Sequence, residues 1–218
     1  MASKQEVRHR IEELGIIPAI RVSSAEDALF AAKAVFDAGI PLVEVATTMP
    51  EAHKVIAQLV QSLPGVIVGA GGIQNFEMAG LCLNAGAMFL ASDGFDPKLV
   101  GFAIEEDVLM IPGALTPSEV LNAWKLGPDF VKVAPCSHIG GPNYFGSLKV
   151  MFPAIALIAA GGVTQQTAAH FVRAGASALG IGTELLPREA IATRQANRIG
   201  ELARRFVAII GSAREQVR

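Results

Sequence analysis

The stretch Phe130-Val131-Lys132-Val133-Ala134-Pro135 places a lysine inside an otherwise apolar run. Phe130, Val131 and Val133 favour extended backbone, Gly127-Pro128 breaks the chain before them and Pro135 ends the run, so Lys132 belongs near the C-terminal end of a strand. Such a lysine has ordinary explanations: a stem lying along an edge strand with its ammonium in water, or one half of a buried salt bridge. It also has a chemical one. An amine desolvated among apolar neighbours and close to another cation should give up its proton more readily than usual. As a free amine it condenses with a ketone to a Schiff base, whose iminium draws electrons from the neighbouring carbon. Glu44, in Leu42-Val43-Glu44-Val45-Ala46, is a second charge in an apolar run. It is either a structural counter-ion for Lys132 or Arg21, or the carboxylate that moves protons during carbinolamine formation and carbon–carbon cleavage. Arg21 either caps a rim or supplies the neighbouring cation.

Two glycine turns point to the other end of a ligand. Gly161-Gly162 in "AAGGVT" and Gly182-Thr183 in "GIGTEL" offer bare backbone N–H groups, with the Thr183 hydroxyl beside them, as a phosphate cradle. The ordinary alternative is a pair of tight turns that need glycine for their backbone.

Bringing these groups together requires a scaffold in which strand ends converge. From Gly15 onward, short β-branched runs alternate with stretches of helical period. The candidate strands cover residues 16–22, 41–46, 66–69, 88–91, 108–112, 130–134, 156–159 and 178–182. Helix starts are marked by the capping box Thr116-Pro117-Ser118-Glu119 and by Asp96-Pro97. Gly39, Gly86, Gly127 and Gly175 fall after helices and before strands, where a left-handed cap is needed. This weak internal repeat, with no Pro/Ser-rich linker, predicts one α/β domain over residues 1–218: a (β/α)8 barrel with an extra N-terminal helix over residues 3–14. An open doubly wound sheet needs a glycine fingerprint after its first strand, and "IRVSSAEDA" has none. In the barrel the strand ends read Arg21, Glu44, Gly69-Ala70-Gly71-Gly72, Ser92-Asp93, Pro112-Gly113, Lys132, Gly161-Gly162 and Gly182-Thr183.

Composition narrows the functional classes. The 218 residues are 51% hydrophobic and 17% charged with a formal net charge of −2, which suits a folded chain with a generous core and gives no basic stripe for nucleic acid. Residues 1–15 mix Lys, Glu, Arg and His at helical spacing, unlike a signal peptide or a membrane span. The expectation is therefore a cytoplasmic protein without a membrane partner. Cys82 and Cys136 are far apart and lack metal-ligand spacing, so both read as free packing thiols, and no metal is expected.

In this order, "IIPAIRVSSAEDALFAAKAVFDAGIPLVEV", "VGAGGI", "IPGALTPSEV", "FVKVAP", "AAGGVT" and "GIGTELL" resemble the class I 2-keto-3-deoxy-6-phosphogluconate / 4-hydroxy-2-oxoglutarate aldolases over nearly the whole chain. The resemblance implies Lys132 as the Schiff-base lysine, Glu44 as the proton shuttle, and phosphate contacts from Gly161, Gly162, Gly182 and Thr183. It implies no cofactor, and usually a trimer of barrels. The implied substrate is a 2-keto-3-deoxy-6-phospho sugar acid, split to pyruvate and an aldehyde such as glyceraldehyde 3-phosphate.

The sequence also departs from the pattern. Thr48 stands where many members carry an arginine for the substrate carboxylate; the branch without that arginine, which includes the 6-phosphogalactonate aldolases, has one on the first strand, as Arg21 is here. Gly72 replaces the threonine of the usual GAGT, Ala160 replaces a frequent threonine, and "ASDGFDP" replaces the usual S-P-x. Arg21, Thr48, Gly72 and Pro112 are the candidates for substrate binding. Three alternatives stay open: an unphosphorylated 4-hydroxy-2-oxo acid as substrate, a sugar-phosphate epimerase or isomerase using Lys132 as a fixed charge, and a phosphosugar-binding protein without turnover.

Overall fold

The computed structural model describes residues 2–217. The chain enters through α1 (Lys4–Leu14), whose N-cap Ser3 side chain accepts from Glu6 N while the Glu6 carboxylate accepts from Ser3 N. Gly15, at φ 66°, turns it into β1 (Ile16–Ile20). From there strands and helices alternate: α2 (Ala25–Asp37), β2 (Leu42–Ala46), α3 (Ala52–Ser62), β3 (Ile67–Gly71), α4 (Phe76–Asn84), β4 (Phe89–Ala91), α5 (Pro97–Glu105) and β5 (Leu109–Ile111). The second half runs β6 (Gly113–Ala114), α6 (Pro117–Trp124), β7 (Val131–Val133), α7 (Gly141–Met151), β8 (Leu157–Ala160), α8 (Gln165–Arg173), β9 (Ala178–Ile181), α9 (Arg188–Ala192) and α10 (Ala196–Glu215).

The strands lie in the order β5-β4-β3-β2-β1-β9-β8-β7-β6, and every pairing is parallel. The two outermost strands are consecutive pieces of one run interrupted at Pro112, which has no N–H to give to a ladder. Chain continuity therefore closes the sheet into a (β/α)8 barrel. The expected fifth strand, 108–112, is the first of these pieces, and the second continues past the proline. Both predicted helix starts are present, with Thr116 in a capping box with Glu119 and Asp96 accepting from Lys98 N. Gly39, Gly86, Gly127 and Gly175 all take positive φ after their helices.

Two buried layers hold the barrel. The outer one packs the helices on the strands. The inner one fills the barrel with Ile17, Leu42, Ile67, Phe89, Ile111, Phe130 and Ile158, and includes Val7 and Ile11 of α1. A Cβ on Gly69 would overlap the Phe89 ring, so that glycine makes room for the largest interior side chain on the neighbouring strand. The N-terminal helix thus plugs the end at which the strands begin, tied there by Lys4 to Asp129, 3.2 Å apart and just ahead of β7. The plugged end leaves the C-terminal ends of the strands as the open mouth.

Candidate active site

The mouth opens on a cavity of about 400 Å³. Along β1 and its end, the alternate residues Ile17, Ala19 and Arg21 line it, as the two-residue period of a strand requires. Lys132 enters from β7, in register with Gly113 on one side and Ile158 on the other. Its backbone N–H donates to Pro112 O at 2.8 Å, and its side chain is 6% exposed. Glu44 enters from β2 and is 5% exposed. A Cβ on Gly71 would overlap the Glu44 carboxylate, so the glycine at the end of β3 is what lets that carboxylate occupy the mouth. Among the described residues the Glu44 carboxylate makes no hydrogen bond or ion pair, although its backbone pairs in the ladder with β1 and β3.

The counter-ion of Lys132 is Asp93. Lys132 Nζ donates to Asp93 Oδ1 at 3.0 Å, and Arg21 Nη2 lies 3.6 Å from the same oxygen. Burial pushes the Asp93 carboxyl up, but the Lys132 ammonium and the Arg21 guanidinium outweigh it and hold the group below its ordinary range, as a carboxylate. Sequence reasoning puts Asp93 at a strand end on the mouth but gives it no role. Its only signal there is an acidic side chain directly after a strand end, and Ser92-Asp93-Gly94 reads equally well as a turn.

Arg21, Glu44, Lys132, Gly161, Gly162, Gly182 and Thr183 all line this one cavity. Thr48, Gly72 and Pro112 are not among its lining residues. Thr48 faces a separate cleft with Ser23, Asp27 and Arg188, and Arg21 borders both spaces. Gly72 is held at φ 71°, and its carbonyl accepts from Thr47 Oγ1 at 2.9 Å. Pro112 acts through its carbonyl on the Lys132 backbone.

On the far wall, Gly161 and Gly162 have φ of 80° and 86°. A Cβ on either would lie 2.7 Å from the loop after β7, at Pro135 Cα and Ser137 Cβ respectively. That loop is bonded to the turn through Ser137 N to Gly161 O and Ser137 Oγ to Gly162 O. Both glycines are therefore required by backbone conformation and close packing whatever the ligand. Among the described residues, the N–H groups of Gly162, Val163, Thr183 and Glu184 donate to no protein acceptor.

A family model described as KDPG and KHG aldolase matches residues 7–202. The chain belongs to that family. It is 28% identical to a 2-dehydro-3-deoxy-phosphogluconate aldolase of Treponema pallidum, over 92% of this chain and 96% of the relative. It is also 28% identical to a 2-dehydro-3-deoxy-6-phosphogalactonate aldolase of Escherichia coli, over 79% and 85%. Among solved structures it is similar to the KDPG aldolase of Legionella pneumophila with pyruvate captured as a covalent carbinolamine. That match has a TM-score of 0.83 and 26% identity, and covers 90% of this chain and 95% of the other. The enzyme is thus an aldolase, and its family chemistry needs an amine, a proton carrier and an electron sink at one mouth. Lys132 and Glu44, on opposite strands of this aldolase, both line its mouth.

Proposed function

We propose that this aldolase cleaves a 2-keto-3-deoxy-6-phospho sugar acid to pyruvate and an aldehyde such as glyceraldehyde 3-phosphate, through a Schiff base on Lys132. The observation that carries the reading is a buried lysine whose Nζ opens into a cavity shared with an unpaired buried carboxylate, Glu44. The Lys132 ammonium passes a proton to Glu44, and the neutral amine adds to C2 of the keto acid. The carbinolamine takes the proton back and loses water. Glu44, a carboxylate again, takes the proton of the C4 hydroxyl as the electron pair of the C3–C4 bond passes to the iminium and the aldehyde leaves; it returns that proton to C3 of the enamine, and hydrolysis of the pyruvyl iminium releases pyruvate and the Lys132 amine. Arg21 is the one cation besides Lys132 among the lining residues, so we assign it to the substrate carboxylate, and the free N–H groups of the two glycine turns to the phosphate.

One observation favours an unphosphorylated 4-hydroxy-2-oxo acid instead. Glu184 lines the cavity directly beside Thr183 and opposes a dianion there. Measuring pyruvate release across 2-keto-3-deoxy acids with and without a 6-phosphate decides between the two. A preference of more than about tenfold for the phosphorylated acids supports the first reading, and parity or the reverse supports the second.

We also read the enzyme as a cytoplasmic homotrimer. Among the described residues no helix is long and apolar enough to cross a membrane. Exposed Phe76, Leu81, Ile104 and Leu121 on the consecutive helices α4, α5 and α6 supply apolar surface of the kind subunits bury. Sedimentation of the purified chain tests the assembly.

A further inference from the structure

We propose that Asp93 is the counter-ion of the reacting nitrogen, and that it holds Arg21 in reserve until a substrate carboxylate takes the arginine from it. This rests on the Schiff-base reading of Lys132 and adds to it a residue and an exchange of partners.

The position of Asp93 is built by its surroundings. Ser92 N donates to Ile111 O at 3.1 Å, and Ser92 Oγ donates to Gly94 O at 2.7 Å, so the backbone on both sides of Asp93 is fixed. A Cβ on Gly113 would overlap the Asp93 carbonyl and lie 2.9 Å from Gly94 N, so the turn sits against a glycine that leaves it room. From this turn one oxygen, Oδ1, serves two cations at unequal range. Lys132 Nζ is at hydrogen-bond distance, 3.0 Å, with its side chain 6% exposed, whereas Arg21 Nη2 stands off at 3.6 Å with its side chain 49% exposed. The inner contact is desolvated and tight. The outer one is wet and loose, and among the described residues it is the only ion pair Arg21 makes.

Each contact has a chemical consequence. During imine formation Nζ begins as an ammonium, becomes neutral in the carbinolamine, and ends as an iminium once the carbonyl oxygen has left as water. The nitrogen carries the same single positive charge at both ends. A carboxylate fixed at 3.0 Å stabilises both cationic states against the neutral ones between them. Removing that charge favours the neutral states over the cationic ones, so the pH profile of adduct formation moves down. The other charged or titratable groups lining the cavity are Arg21, Glu44 and Glu184, and among the described residues none of these carboxylates is ion-paired with Nζ. The outer contact bears on the donor. A 2-oxo acid must draw Arg21 away from Asp93, while a ketone without a carboxylate has no use for Arg21.

The test measures the rate of borohydride-trapped adduct formation on the full chain against pH and donor concentration, with pyruvate and with acetone as the carboxylate-free ketone. Asp93→Asn keeps the shape and removes the charge. We expect its profile to move to lower pH with both donors. Its half-saturating pyruvate should fall about two- to fivefold, the worth of a loose exposed ion pair no longer competing, while that for acetone stays put. Arg21→Gln is the complementary variant and should raise half-saturation for pyruvate alone. If Asp93→Asn traps with the wild-type pH profile and the wild-type pyruvate-to-acetone ratio, the proposal is overturned and the Schiff base stands. If the wild type forms no adduct with either donor, the Schiff-base reading and this proposal fall together.

Discussion

Gly71 and Glu44 occupy one space: a Cβ on the glycine would come within 2.7 Å of Glu44 Cγ and overlap the carboxylate beyond it. The backbone of Gly71 has no positive φ, so alanine suits the chain there and conflicts only with the side chain across from it. Gly71→Ala should therefore displace the Glu44 carboxylate while the barrel persists. Glu44→Gln keeps the shape and loses the transferable proton, a loss worth about 10²–10⁴ in kcat. Gly71→Ala should fall in the same range, and the double variant should be no slower than the worse single one, because both changes strike one proton carrier. Steady-state pyruvate release with circular dichroism as a fold control checks this. Additive losses would separate the glycine from the carboxylate.

Gly72 is a different case, although it is the next residue. Its departure from the family threonine suggests that restoring Thr would recover a hydroxyl for the substrate carboxylate, but here the backbone stands at φ 71° and Gly72 is not part of the cavity lining. A Cβ would meet Asp93 Oδ2 and Thr47 Oγ1 at 3.6 Å, ordinary contact, so the difficulty is backbone strain and not crowding. Gly72→Thr should cost about 1–3 kcal/mol of stability, as a β-branched residue in the left-handed region. It should leave the KM for pyruvate in the condensation direction unimproved. Thermal unfolding and condensation kinetics together read both effects.

For the phosphate, Gly162→Val is a poor probe, since φ 86° and Ser137 at 2.7 Å make it a folding defect first. Thr183 is exposed, and a Cβ on Gly182 would find only Ala19 O at 3.8 Å. Thr183→Ala should cost on the order of 1 kcal/mol of the preference for phosphorylated over unphosphorylated acids, one hydrogen bond's worth. Gly182→Ala should fold normally and lower the same ratio by crowding the anion. The ratio of kcat/KM values for a matched substrate pair measures it. An unchanged ratio in both variants would assign the turns to structure alone.

Much of the barrel was legible because local physics set it. Short β-branched runs placed the strands to within a few residues, and glycine at four helix exits and the caps at Asp96 and Thr116 marked where helices had to end and begin. The break at Pro112 was hidden, since closure of a barrel is a property of the whole ring and not of one strand. Lys132 and Glu44 were legible as charges in apolar runs. Asp93 was not, because a carboxylate in a polar turn carries no local sign of the two cations that strands β1 and β7 bring to it. Nor was it visible that Thr48 points to a neighbouring cleft, or that the Gly161-Gly162 turn is tied to the loop after β7. Those are contacts between residues far apart in the chain.

Covalent catalysis by Lys132 leaves a chemical mark that borohydride makes permanent. Incubation with pyruvate and borohydride, followed by peptide mapping, should place a reduced pyruvyl adduct on Lys132. A folded Lys132→Ala variant should show no adduct and no pyruvate release. An unmodified Lys132, or turnover that survives in that variant, would rule out Lys132 as the Schiff-base lysine.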